Sequence, residues 1–169
     1  GIGGDPLGFL VRDGKLPAPV YQVFDYMEWS ACWAKKHFPD IRTIGVNTIP
    51  YHHSGAHVVQ ELAFAMATGV EYINQLQDRN LTIDDIAQNM NFTFCIGSFF
   101  FMEIAKFRAA KILWSKIVKE YGGDGKSQKI FIHARTSTYN QSINDPYVNM
   151  LRATTESLSA IIGGINSLH

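Results

Sequence analysis

"TIGVNT" (residues 43–48) runs through "IPYHHSGAH" (49–57) into "VVQELAFAMATGVEYINQLQ" (58–77). The first six residues are β-branched and apolar, short, and stopped by an Ile-Pro turn, which reads as a buried strand. Ser54 and Gly55 then open a helical pattern. Val58, Val59, Leu62, Ala65, Met66, Val70, Ile73 and Leu76 share one face, with polar Gln60, Glu61, Asn74 and Gln77 assigned elsewhere.

The same alternation recurs downstream. Thr82 and Asp85 in "LTIDD" mark the start of a small helix, an approximate capping box. "NFTFCIG" (91–97) reads as a second strand, and Ser98 as the cap of a helix through "FFFMEIAKFRAAKILWSKIVKEYGG" that stops on Gly122 and Gly123. "QKIFIHART" (128–136) is a third strand. "DPYVNMLRATTESLSAIIGG" is a third long helix, with Asp145 as N-cap and Pro146 at its first position. "INSLH" is a fourth strand cut short. Upstream, residues 19–38 form an amphipathic helix, and "GIGGDP" leads into no clear strand–helix unit.

Apolar strands alternating with helices predict a parallel sheet covered by helices. Two architectures compete, a doubly wound open sheet and a (β/α)8 barrel. No glycine-rich phosphate fingerprint follows a strand, which weakens the dinucleotide-binding form of the open sheet. A full barrel takes about 250 residues, so the expectation is an α/β fold forming about half of a barrel, as one domain over residues 1–169.

Composition bounds the function. The chain has 169 residues, 15 basic and 15 acidic. That balance gives no electrostatic case for nucleic acid or an anionic membrane. No apolar run reaches the roughly 20 residues of a membrane helix, since "FTFCIGSFFFMEIA" stops at Glu103 and Lys106. Cys32 and Cys95 match no zinc or redox spacing and are expected as buried thiols. With no signal peptide and no initial Met, the expected origin is a cytoplasmic protein or a piece of one.

In either architecture ligands meet the carboxyl ends of the strands, where this chain carries "PYHHSGAH", "GSFF" and "RTSTYNQSINDPY". Metal binding at His52, His53 and His57 is not expected, because adjacent histidines point apart on an extended loop. His133 on its strand is a core histidine or a ligand contact. Arg135 at a strand end should meet a carboxylate or an anionic ligand. Phe99–Phe101 and Met102 are expected in the core, and Lys106, Arg108, Lys111, Lys116 and Lys119 on a solvated helix face.

"FMEIAKFRAAKILW", "DPYVNMLRATTE" and "GGINSLH" are long and specific, and with them nearly the whole chain resembles the barrel of the methylmalonyl-CoA mutase family. These are adenosylcobalamin-dependent acyl-CoA isomerases. The resemblance implies a substrate barrel with a separate cobalamin domain, whose Asp-x-His-x-x-Gly motif is not found here. It thus implies adenosylcobalamin in the parent assembly and none bound by this chain.

In catalytic members the first of these strands ends in Ser-Gly-Tyr-His, followed by Glu and Ala-Gly-Ala. Anchored on Ser54-Gly55-Ala56, the Tyr-His positions fall on Ile49 and Pro50, and the Glu on His53. Tyr51 and His52 restore the letters two residues late, a displacement of about 6 Å on extended backbone at about 3.3 Å per residue. The family's Ala-Pro-Arg appears as "AQN", with Asn89 for the arginine, and its His-x-Gln-Thr-Ser as "HARTS", with Arg135 for the glutamine. Arg12, in "FLVRDG", lies near a family arginine that binds substrate carboxylate. "DPLGFLVRDGKLP" and "PYHHSGA" are more similar to the small, non-catalytic subunit of the heterodimeric mutases.

The resemblance therefore implies a pseudo-active barrel segment. It would support isomerisation of methylmalonyl-CoA and succinyl-CoA by a catalytic partner subunit, with no catalytic residue of its own. Arg12, His53, His133 and Arg135 are the candidate substrate-binding residues. The alternative is part of an active acyl-CoA mutase of different specificity, with Tyr51 and His52 catalytic. A third reading is an unrelated barrel hydrolase or lyase using the histidine loop. Exposed strand edges of a half barrel predict self-association of the chain.

Overall fold

A computed structural model describes residues 3–169. The elements in order are α1 (Pro6–Asp13), α2 (Val20–His37), β1 (Ile44–Asn47), α3 (Ile49–His53), α4 (Val58–Gln77), α5 (Ile83–Asn89), β2 (Met90–Ile96), α6 (Phe100–Glu120), β3 (Ile132–Thr136), α7 (Pro146–Gly163) and β4 (Ser167–Leu168). All ladders are parallel and the strand order is β1-β2-β3-β4. Each strand lies beside its neighbour in sequence. A doubly wound sheet needs a point where the order reverses, and this sheet has none among the described residues. It is a consecutive arc of a (β/α)8 barrel.

The chain's opening belongs to that arc, contrary to expectation. Gly4 makes a parallel bridge with Ile44, donating from its N–H to the Thr43 carbonyl at 2.7 Å and accepting from the Gly45 N–H at 3.0 Å. A Cβ on Gly45 would lie 3.0 Å from Gly3 backbone atoms, so the close approach needs a glycine. Helix α1 follows directly, completing one more strand–helix step.

One side of the sheet packs on helices. Ile44, Val46, Phe92, Phe94, Ile96, Ile132 and Ala134 are fully or almost fully buried with Ala65, Tyr72, Phe107, Ala110 and Trp114. Phe92 meets Trp114 edge-on at 4.7 Å and Phe94 meets Phe107 at 6.1 Å. Side chains alternate along a strand, so Gly45, Asn47, Asn91, Thr93, His133 and Arg135 face the concave side that a closed barrel would enclose.

The caps follow the sequence in part. Asp145 caps α7 through the Val148 N–H at 3.1 Å, and Pro146 opens it. The Thr82 hydroxyl accepts from the Asp85 N–H at 3.2 Å. Other expectations fail. The Ile-Pro turn is the helix α3, not extended chain, and His57 rather than Ser54 caps α4, its Nδ1 accepting from the Val59 and Gln60 N–H groups. Phe99 occupies the cap of α6 with no side-chain cap bond, so Ser98 does not serve there.

Phe99, Phe101 and Met102, at the cap and first turn of α6, are exposed and not in the core. Lys106 is buried instead of solvated, and Cys32 is exposed while Cys95 is buried. No helix of the described residues is long and apolar enough to cross a membrane.

Candidate functional site

The carboxyl ends of β1, β2 and β3 converge on a buried ion pair. Glu61 stands in the first turn of α4, and Lys106 on the inward face of α6. Lys106 Nζ lies 2.8 Å from Glu61 Oε2, with the side chains 0% and 1% exposed. Burial of this kind requires every partner to be supplied by the protein. Nζ also lies 2.6 Å from Glu103 Oε2 and donates to the Cys95 carbonyl at 2.6 Å. Glu61 Oε1 accepts from the Cys95 N–H at 3.0 Å and from the Thr48 hydroxyl.

The arrangement has a backbone reason. Strand β1 ends its pairing with β2 at Asn47 opposite Thr93. Cys95 lies beyond its reach, so the N–H and C=O that a longer β1 would satisfy go to Glu61 and Lys106 instead. Unpaired, each buried group would cost about 1–3 kcal/mol.

Electrostatics follow from the contacts. Burial opposes ionisation of Glu61, yet His52, Lys106 and Thr48 outweigh it and hold the carboxyl at about 2. Burial likewise opposes the Lys106 ammonium, and Glu61 and Glu103 outweigh it, raising its pKa. Burial, with Glu61 beside it, pushes the Cys95 thiol up to about 12, so it stays a thiol.

His52 extends the network into the mouth. Its Nδ1 lies 3.8 Å from Glu61 Oε2, and its Nε2 lies 2.8 Å from the Ser137 hydroxyl. Ser137 stands just past β3, is fully buried, and accepts from the Tyr139 N–H at 3.1 Å. The ring thereby connects the loop after β1 to the loop after β3. Under that second loop Glu156 of α7 accepts from the Asn140 amide at 3.3 Å, while its Oε2 is buried without a partner. Burial raises its pKa.

The expected site residues separate into two groups. His52 and His53 sit at the mouth, where His53 Nε2 shares a 3.3 Å hydrogen bond with the Thr138 hydroxyl. Desolvation, then His52 and Arg135, lower the His53 pKa. His133 is on the concave face, with Nδ1 2.7 Å from the Ser167 hydroxyl. Its pKa is lowered by desolvation, then by His169 and Arg135. Arg135 is exposed there, and no carboxylate pairs with it among the described residues.

Tyr51 and Arg12 lie apart from this group. The Tyr51 hydroxyl meets Thr68 on α4 at 3.3 Å and its ring lies 5.1 Å from Phe64. Arg12, in the last turn of α1, pairs with Asp13 at 2.8 Å and covers the Phe9 ring. Asn89 is structural, its side-chain oxygen accepting from the Thr43 N–H at the start of β1.

Glu61, Glu103, Lys106, Ser137 and Glu156 were not foreseen as a group. One signal was present for Glu61: it falls three residues after Val58 and four before Ala65, on the apolar stripe of α4.

The description "Methylmalonyl-CoA mutase" matches residues 1–169, the whole chain. The chain belongs to the methylmalonyl-CoA mutase family. It is 43% identical to the methylmalonyl-CoA mutase small subunit of Porphyromonas gingivalis over 161 residues, 94% of this chain and 25% of that protein. It is 37% identical over 165 residues to a methylmalonyl-CoA mutase of Rhizobium meliloti, covering 95% of this chain and 23% of that protein. The small subunit from Streptomyces virginiae is 34% identical over 169 residues, 99% of this chain and 26% of that protein. The chain thus spans about a quarter of the length of the relatives it matches. Family membership replaces the reading as an unrelated hydrolase or lyase.

The mutase family works with adenosylcobalamin, a cobalt corrin that supplies radical chemistry when bound. His52 leaves no free ring nitrogen to ligate the cobalt. His52, the imidazole deepest in the mouth, has both nitrogens turned to protein partners, Glu61 and Ser137. The sequence also lacks Asp-x-His-x-x-Gly.

Proposed function

We propose that the chain is a substrate-barrel segment of a small, non-catalytic mutase subunit. It supports adenosylcobalamin-dependent interconversion of methylmalonyl-CoA and succinyl-CoA by a catalytic partner, in the cytoplasm. The observation that carries this reading is the character of the concave face. A filled barrel stacks Val, Ile and Leu inside. Here Gly45, Asn47, Asn91 and Thr93 occupy those places, and Asn91 Oδ1 is buried with no partner.

Small, polar residues leave room and hydrogen-bonding groups for an extended acyl-CoA chain, with His53, His133 and Arg135 lining its path. The non-catalytic assignment is supported by the partners of the histidine loop. Tyr51 turns to α4 and His52 to Glu61 and Ser137, while Arg12 is neutralised by Asp13. The similarity to two small subunits points the same way.

The cofactor is held by residues outside this sequence, and no step passes through this chain's own side chains. The chain's part is to bind, to orient and to exclude water. An arc of a barrel has open edges, so the chain by itself self-associates, and the full-length parent pairs with the catalytic subunit.

Mixing the full-length parent with a catalytic mutase subunit tests the pairing. A one-to-one complex by size-exclusion chromatography with light scattering is expected. Two proteins that elute separately at micromolar concentration would overturn it.

A further inference from the structure

We propose that Glu61 and Lys106 are positioning residues for His52, fixing its ring with the proton on Nδ1 so that the histidine fastens the loop after β1 to the loop after β3.

The hydrogen-bond directions lead there one at a time. The Tyr139 N–H can only donate, so Ser137 Oγ accepts from it at 3.1 Å. That leaves the Ser137 proton free to point at His52 Nε2, 2.8 Å away. On the other side of the ring, Nδ1 faces Glu61 Oε2 at 3.8 Å. A bare nitrogen lone pair there would oppose a carboxylate in a site almost without water, where charges act more strongly than in solution. A proton on Nδ1 turns that opposition into attraction. Nε2 is then the acceptor that the Ser137 hydroxyl needs.

Lys106 holds the carboxylate that sets this choice. Its ammonium fixes Oε2 at 2.8 Å, and Thr48 and Cys95 fix Oε1, so the charge cannot swing away from the imidazole. Ser137 is fully buried, and the His52 side chain is 14% exposed. Nε2, the nitrogen that a mouth ligand would need, is therefore occupied by a group that no ligand can displace without opening the loop.

A simpler role would make Glu61 and Lys106 only the backbone partners of Cys95, with His52 a neighbour. The two roles differ in one observable. If the ion pair positions the ring, removing the charge at residue 61 changes where the imidazole proton sits. If it does not, the proton stays.

The inference rests on the strand ends being the ligand-facing end of the barrel, but its test reads the imidazole itself. Loss of the partner complex and loss of this assignment are separate results. The measurement is a long-range proton–nitrogen correlation spectrum of the ¹⁵N-labelled chain at neutral pH, with the His52 signals assigned by His52→Gln. A protonated Nδ1 and an unprotonated Nε2 are expected, retained in Ser137→Ala. In Glu61→Gln the proton should redistribute toward Nε2, and the two nitrogen shifts should approach each other. A wild-type ring protonated on Nε2, or averaged over both nitrogens, overturns the proposal even if Glu61→Gln fails to fold. So does a folded Glu61→Gln with unchanged His52 shifts.

Discussion

Lys106 is a cation with a fully buried side chain, held by two carboxylates and a carbonyl. Removing one partner of such a group leaves the others buried and uncompensated. Lys106→Met should therefore lose about 3–5 kcal/mol of stability in urea unfolding. Lys116→Met, on the exposed side of the same helix, should stay within about 0.5 kcal/mol. Equal losses at the two positions would mean that the burial of Lys106 is not energetically real. Glu61 adds a pH signature. Its folded pKa, about 2, lies below the ordinary 4.5. Its contribution is thus complete above pH 4.5 and disappears as pH falls toward 2. Glu156, raised by burial, acts in the opposite sense: it gains as pH falls through its raised pKa toward 4.5, above the window in which Glu61 is lost. Stability followed by urea titration should fall more steeply between pH 4.5 and 2 in the wild type than in Glu61→Gln. The cluster was hard to read because charge dominates a sequence-level judgement of exposure. Lys106 shares its helix with Arg108, Lys116 and Lys119, which are exposed as expected, and with Lys111, which is half-buried and donates to the Gly163 carbonyl. Only the folded register sets Lys106 over Cys95.

At the scale of elements, apolar runs and caps carried most of the information. Residues 91–97 match β2 to within one residue at each end, residues 128–136 contain β3, and Asp145-Pro146 starts α7 as its chemistry requires. The failures have local causes. His57 caps α4 through Nδ1, a use outside the Ser, Thr, Asp and Asn preference that marks helix starts. Phe99 and Phe101 look like core in sequence, but both are exposed at the cap and first turn of α6. Tight packing between α4 and α6 depends on Gly69, where a Cβ would lie 2.8 Å from Trp114 Cζ3 and 3.1 Å from Phe92 Cζ. Gly69→Ala gains about 0.5–1 kcal/mol of helix preference but forces overpacking worth about 1–3 kcal/mol. The clash should win, lowering the thermal midpoint by several degrees. An unchanged or higher midpoint would show that the two helices can separate freely.

Across the whole molecule, the parallel alternation of strands and helices was legible, while the choice between open sheet and barrel was not, because strand order is a long-range property. The sequential order and the Gly4–Ile44 bridge decide it. Both flanks of the arc carry exposed apolar side chains, Trp29 and Trp33 on α2 and Leu151, Leu158 and Ile161 on α7. The chain alone should therefore form dimers or larger species by light scattering, and a monodisperse monomer would contradict the half-barrel reading of those flanks. The most direct test of the non-catalytic role uses the full-length parent with adenosylcobalamin and methylmalonyl-CoA, alone and with a catalytic mutase subunit. No turnover alone and turnover with the partner is the expected result. Turnover by the parent alone would make Tyr51 and His52 part of a working catalytic loop and contradict it.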